Sequence, residues 1–209
     1  MARTSITEEE IRDVLLQTAR EAFIKEGIRG TEMKTIAERS GLSRSTVYRY
    51  AIDKAQLAFL IVEQEMRELV RLALVTGEVT VRSGYEQLEA FCGRMLDVME
   101  SHPQVLPLIA EFDTIYTGEY PSIPEAQDFV ITMQRLHNST VLMVLNGLAD
   151  HTLTNIPDPS VFAAMLENTI FGLSLRLFPR EAHYKEEHHN GARPIIEEAI
   201  RVILSAVKA

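Results

Sequence analysis

Tryptophan is absent from this 209-residue sequence, aromatic residues make up only 7 %, and cysteine occurs once, at Cys92. A single cysteine excludes an internal disulfide framework and fits a reducing compartment. No apolar run approaches the ~18 to 20 residues of a membrane span. Met1 to Glu10 is polar and acidic, unlike the basic-then-apolar order of a secretory signal. These absences predict a cytoplasmic chain with no membrane association. They also leave the sequon Asn138-Ser139-Thr140 without a secretory context. There is no nucleophile elbow, no phosphate-cradling loop and no metal-ligand spacing on a helix. An enzyme, a bound cofactor and a metal centre are therefore not expected. What remains is globular: 46 % of residues are hydrophobic, enough for a sizeable core.

Positive charge is also scarce, with a formal net charge of −9. It is unevenly spread. Through Lys54 there are ten basic and nine acidic residues, a net of +1, which leaves −10 for the rest. Between Arg39 and Lys54 four bases face a single acid, Asp53. Local potential is what a phosphate meets first, so an acidic chain can still carry a DNA-facing island.

The periodicity is helical nearly throughout, and no strand-like alternation is sustained, so an all-α fold is expected. Thr7 with Glu10 spells a capping box, Ile6 and Ile11 a hydrophobic staple, and Gly27 a left-handed stop to the first helix. A short second helix carries Met33, Ile36 and Ala37 and ends at Gly41. Ser43 is the expected N-cap of the third helix, with Leu42 and Val47 as staple. Asp53 caps the fourth, with Ile52 and Leu57. Further helices are expected from Lys54 to about Thr76, Val81 to Ser101 and Pro103 to Tyr116. Others follow from Glu125 to Asp150, Ser160 to Phe178 and Ile195 to Lys208. Gly77 and Thr80 mark one junction, and the stretch after Phe178, PREAHYKEEHHNGARP, reads as a polar connector. Domain boundaries follow at 1–53 and 54–209.

Ala37, Gly41 and Val47 have the spacing of a tight helix-turn-helix. Alanine allows close approach, glycine takes the positive φ of the turn, and valine fills the space between the helices. Tyr50, one turn after Val47, is expected to be partly inward. The other face of the third helix then presents Arg44, Ser45, Thr46, Tyr48 and Arg49. Arginine can bond guanine through two donors, and small hydroxyl residues can bond several bases. Tyr48 and Lys54 suit phosphate contacts, the latter at a helix N-terminus.

The stretch GIRGTEMKTIAERSGLSRSTVYRYAIDKAQL, Gly27 to Leu57, resembles the DNA-binding region of the TetR family of transcriptional regulators. Matching residues include Gly27, Thr31, Ile36, Ala37, Gly41, Leu42, Ser43, Thr46, Val47, Tyr48, Tyr50, Lys54 and Leu57. The resemblance covers about the first quarter of the chain. It implies a homodimer whose subunits each join a three-helix DNA-binding domain to a larger helical ligand-binding and dimerisation domain. It implies DNA contacts by Lys34, Ser43, Arg44, Ser45, Thr46, Tyr48, Arg49, Tyr50 and Lys54. Two departures stand out: Glu32 replaces the usual hydroxyl cap of the second helix, and Ala51 replaces an aromatic after the third.

Beyond residue 80 the signal weakens. Phe91, Met95, Met99, Phe112, Met133 and Phe171 are either ordinary core or the lining of an apolar cavity for a small-molecule effector. Asp113, His137 and Asn168 are polar residues within apolar stretches, and each can orient a ligand or bond a neighbouring helix. His183, His188 and His189 lie on the polar connector, where adjacent histidines are poorly placed to share an ion. The last two helices carry apolar stripes that predict dimerisation as a four-helix bundle: Phe162, Met165, Leu166, Thr169, Ile170, Leu173 and Leu177, then Ile195, Ile196, Ala199, Ile203 and Val207. Alternatively they close their own core. The expected function is a dimeric, ligand-responsive repressor that reads a near-palindromic double-stranded DNA operator. The alternatives are a regulator controlled by a protein partner, without a small-molecule pocket, and a helical enzyme or carrier.

Overall fold

The computed structural model describes residues 7–51, 53–74 and 82–209. Among the described residues ten α-helices run α1 Glu8–Gly30, α2 Met33–Ser40, α3 Arg44–Tyr50, α4 Lys54–Leu74, α5 Gly84–Ser101, α6 Leu106–Ile115, α7 Pro124–Ala149, α8 Pro159–Leu177, α9 Glu181–His188 and α10 Ala192–Val207. Among the described residues there is no strand, and one isolated bridge pairs Leu153 with Lys208. The fold is all-α. The staple residues Ile6 and Ile52, and the expected junction at Thr76, Gly77, Thr80 and Val81, lie outside the described residues.

The chain divides into two compact units. One combines Met1–Glu65 with Pro107–Phe129, and the other combines Met66–Leu106 with Val130–Ala209. The cuts fall inside α4 and α7, at 65/66 and 129/130.

In the first unit, α1 begins as its sequence predicts. Thr7 Oγ1 accepts from Glu10 N at 3.2 Å, and the Glu10 carboxylate returns to Thr7 N at 2.7 Å. Leu15, Ala19, Ala22 and Phe23 form its buried stripe. Gly27 does not end the helix. It has φ 78° and ψ 162°, outside the left-handed helical region, and the chain kinks there and continues to Gly30. The kink frees backbone donors, and the Glu111 carboxylate on α6 takes two of them: Ile28 N at 2.6 Å and Arg29 N at 3.0 Å. No local pattern announces a cap that comes from 83 residues away. Phe112, the next residue along α6, is fully buried and meets Phe59 edge-on at 4.8 Å, with Phe129 at 5.3 Å from it.

In the second unit, α8 packs against α5 and α10. Its inward residues are Ala163, Leu166, Ile170 and Leu177; α10 contributes Ile196, Ile200 and Leu204. Helix α5 starts at Gly84, later than expected, because Ser83 and Glu86 form a capping box there. The expected polar connector folds as α9. Glu181 and Lys185 pair at 3.0 Å one turn apart, and His189 in the left-handed region stops the helix. Pro159–His188 has the length and apolar composition of a membrane span, contrary to the sequence expectation. The buried residues Ala163, Leu166, Ile170 and Leu177 account for part of that composition.

The stripes expected to form the dimer face are used in part at home, and Phe162, Thr169, Leu173, Ile195, Ala199 and Ile203 are only half-buried. Leu166, Ile170, Leu177, Ile196 and Val207 are buried in their own chain. The apolar residues left outward on these two helices are Val161 at 65 %, Met165 at 44 % and Val202 at 51 % exposure. Of these three, only Met165 belonged to the predicted stripes.

Candidate nucleic-acid interface

The helix-turn-helix is built by local chemistry. Gly41 takes φ 68° and ψ 10° and caps α2 by donating its N–H to Glu38 O. Two residues on, Ser43 opens α3 by accepting from Thr46 N at 3.1 Å. Ile36, Ala37 and Val47 are buried between the helices, as is Ala51. Thr31 is also fully buried, its hydroxyl donating to Gly27 O at 2.8 Å. Arg39 on α2 pairs with Glu26 on α1 at 2.5 Å, bracing the hairpin from outside.

That framework leaves one face of α3 outward. Arg44, Ser45, Tyr48 and Arg49 are exposed, and Thr46 is half-buried. Arg44 has no hydrogen bond or ion pair among the described residues, so its five donors are available. Ser43 Oγ lies 2.8 Å from both Ser45 Oγ and Thr46 Oγ1, a hydroxyl web that orients the first turn. Ser43 is therefore first a cap. Tyr50 is half-buried, and the Arg49 guanidinium sits 5.0 Å from its ring centre and donates to its hydroxyl at 3.3 Å. This contact holds Arg49 near the end of the exposed face. Lys34 is exposed and pairs weakly with Glu38 at 3.7 Å.

Lys54 is placed differently from its expected role as a free phosphate clamp. Its ammonium donates to Arg29 O at 3.3 Å and Thr31 O at 3.1 Å, carbonyls at the end of α1. Two of its three donors thus satisfy orphan carbonyls, and one remains for a phosphate. Glu32 opens α2 without a side-chain cap bond. An open groove of about 550 Å³ borders the α3 end, between Arg12, Arg49, Tyr50 and the carboxylates of Glu8, Glu9 and Glu125. Its mixed charge and openness do not suit an enclosed apolar effector.

Residues 15–61 match the family model described as bacterial regulatory proteins, tetR family. This N-terminal segment belongs to the tetR family. Helix α3 lies within the matched segment, and the whole chain has the fold seen in TetR-family transcription regulators. A protein of unknown function from Rhodococcus sp. RHA1 superposes with a TM-score of 0.75 at 16 % identity, covering 100 % of both chains. A putative tetR family transcription regulator from Shewanella sp. PV-4 superposes with a TM-score of 0.66 at 16 % identity, covering 95 % of this chain and 98 % of its own. The ketosteroid transcriptional regulator KstR2 of Mycobacterium tuberculosis gives 0.59 at 14 % identity, covering 99 % and 100 %. At the level of sequence no curated protein matches.

The residues predicted to bind an effector do not form one cluster. Met95, Met99 and Phe171 line a small apolar cavity with Leu69, Val70 and Leu136, all within the second unit. Its volume is about 10 Å³, room for no more than one water. Phe91 is fully buried on α5, and Met133 is half-buried on α7. Phe112 belongs to the aromatic core of the first unit, and Asp113 beside it is exposed. Asn168 is exposed and donates to Ala164 O at 2.8 Å within its own helix. Neither of these two polar residues turns inward, because helical periodicity puts both outside the buried arc of their helices.

His137 does meet a partner that sequence reading missed. Its Nδ1 lies 3.2 Å from Glu167 Oε2 and its Nε2 lies 2.9 Å from Ser160 Oγ. Hydroxyl, imidazole and carboxylate in a row have the connectivity of a hydrolytic triad. Acyl transfer also needs N–H donors aimed at an oxyanion. Here the N–H groups of Ser160 and Val161 are held by Asp158 Oδ1 at 2.9 and 3.1 Å. The row is a polar tie between α7 and α8. Cys92 is buried, and desolvation pushes its thiol up to about 12, so it stays protonated and inert. His188 rests against the Tyr184 ring at 5.2 Å, and His183, His188 and His189 all lie on α9 or its cap.

Proposed function

We propose that this protein is a homodimeric transcriptional repressor, acting in the cytoplasm, that leaves its operator when a small, largely apolar effector binds. The carrying observation is the outward face of α3, where Arg44, Ser45, Tyr48 and Arg49 project from a rigid helix-turn-helix. Two such helices on successive major grooves read half-sites ~34 to 36 Å apart, so the operator is a near-palindrome. In functional terms residues 1–53 bind DNA, and residues 54–209 dimerise and receive the effector. Dimerisation uses the outward side of α8 and α10, where Met165, Val161 and Val202 are exposed. The effector favours a dimer state whose recognition helices no longer match the groove spacing, a coupling of typically ~1 to 3 kcal/mol. Selection of DNA from a random pool by the purified protein tests the claim: an enriched near-palindrome supports it, and a pool without one overturns it.

One observation favours a second reading. A cavity of about 10 Å³ admits no effector as it stands, so a regulator controlled by a protein partner would need no such opening. Calorimetry with small apolar probes separates the two: saturable binding supports the effector reading.

A further inference from the structure

Arg49 stands between two kinds of partner. It is exposed at the end of α3, where it borders the open groove together with Tyr50. Glu8 and Glu9 on α1 and Glu125 on α7 border the same groove, and among the described residues none of the three is in an ion pair. Glu125 Oε1 accepts from Gln56 Nε2 at 2.8 Å, and Glu125 Oε2 is buried without a hydrogen-bond partner. A guanidinium is the partner such carboxylates take most readily, since its fork of donors matches both oxygens. Arg49 nevertheless pairs with none of them.

What it takes instead is Tyr50. Arg49 Nη2 donates to the phenol oxygen at 3.3 Å, and the guanidinium carbon lies 5.0 Å from the ring centre. The contact combines a hydrogen bond with cation–π attraction. The Tyr50 ring is half-buried and shares the groove wall with Leu16 of α1 and with Leu57 and Leu60 of α4. Two side-chain torsions order such a ring, so it makes a platform at little entropic cost. Placing a long cationic side chain in advance is worth about two- to twelvefold in affinity, the usual cost of ordering one on binding. Withholding it from a carboxylate adds to that gain.

We propose that Tyr50 serves DNA binding as a positioning residue: it holds the Arg49 guanidinium on the outward face of α3 and keeps it from the groove carboxylates. The family resemblance implied a direct DNA contact by Tyr50; here it acts through its neighbour. This rests on the DNA-binding reading above and adds a residue role to it.

A double-variant cycle tests it, with affinity for the best site of the selected DNA pool read by fluorescence anisotropy on the full-length protein. Arg49→Ala should weaken binding at least about fivefold, and Tyr50→Leu by a similar factor. In the Arg49→Ala background Tyr50→Leu should cost less than about twofold more. Additive losses would mean that Tyr50 touches DNA itself, and they overturn the proposal, as does an Arg49→Ala variant that binds like the unmutated chain. Tyr50→Phe keeps the ring without the hydroxyl and should fall between. The acids supply a rescue. Glu8→Gln, Glu9→Gln and Glu125→Gln together relieve general repulsion of DNA on the unmutated chain, and should raise affinity at least about threefold more on Tyr50→Leu. Equal gains in the two backgrounds overturn the part given to the carboxylates. The contact itself is read without DNA, by nuclear magnetic resonance of protein carrying isotope-labelled arginine. The Arg49 Nε–Hε signal, assigned by its loss in Arg49→Lys, should stand apart from those of other exposed arginines and move in Tyr50→Leu. A signal that does not move overturns the contact. Where Tyr50→Leu does not fold, coincidence with the other arginines in the unmutated chain overturns it. A pool with no enriched site refutes the DNA-binding reading and this role together, whereas additive losses on a good site refute this role alone.

Discussion

Removing the Glu111 carboxylate should destabilise the first unit by a calculable amount. It accepts from Ile28 N at 2.6 Å, a partly buried bond, and from Arg29 N at 3.0 Å, an exposed one. A hydrogen bond to a charged group is worth about 1.5 to 3 kcal/mol, and exposure moves a bond toward or below the bottom of that range. Taking about 1.5 kcal/mol for the first and about 0.5 kcal/mol for the second, Glu111→Ala should cost about 2 kcal/mol. For a chain of this size each kcal/mol moves the melting point by about 2 to 4 °C, so a drop of about 4 to 8 °C is expected. Circular dichroism melting is the assay. Glu111→Gln keeps one acceptor oxygen and should fall between. A second perturbation tests the geometry. In Gly27→Ala the new Cβ would lie 2.7 Å from Glu111 Oε2, at a φ of +78° that side chains rarely adopt. Its cost therefore includes displacement of the cap, and the double variant should lose less than the sum of the singles. A melting point within about 1 °C of wild type for Glu111→Ala, or strict additivity of the pair, would refute the cap.

Arg44→Ala should weaken binding to the best operator by about 1 to 3 kcal/mol and relax preference at one position, as read by quantitative binding to operator variants. An unchanged preference would reject base readout by Arg44. Lys54→Ala should flatten the salt dependence of DNA binding by about one unit of slope and also lower the melting point, because the Arg29 and Thr31 carbonyls lose their donor. An unaltered slope would confine Lys54 to the structural role. Met165→Asp combined with Val202→Asp should give monomers in sedimentation at micromolar concentration, and a tight dimer would place the interface elsewhere. Point charges are the better probe, because truncation before Ile195 would also strip Ile196, Ile200 and Leu204 from the core. The Cys92 thiol, at about 12 against an ordinary 9.0, gives a pH slope of known sign. Between those values the unfolded thiol is ionised and the folded one is not, so this contribution to stability falls as pH rises. Denaturant titrations above pH 9 should show the loss, and Cys92→Ala should remove that component of the slope.

The features that sequence made legible are those closed over a few residues. Thr7 with Glu10, Ser43 and Asp53 announce helix starts because a cap joins a side chain to backbone three positions away, and Gly41 announces an end because its left-handed backbone bonds Glu38 O three positions back. The helix-turn-helix belongs to the same class, since Ala37, Gly41 and Val47 meet across one tight turn. The outward set on α3 follows from helical periodicity once Val47 is placed inside. The features that escaped are joined over long separations. Gly27 reads as a stop in isolation, yet it is a kink because Glu111 supplies the missing cap. His137 looked like one polar residue among several until folding set it between Ser160 and Glu167, 23 and 30 residues away. Asp113 and Asn168 carry the same local signal and lie outside. Periodicity states that an apolar stripe will be covered; it does not state by what. Sequence thus determined the caps, the turn and the outward side chains of α3, whose physics is local. Only tertiary structure decided which stripes of α8 and α10 serve the chain's own core, and how little open space Met95, Met99 and Phe171 enclose.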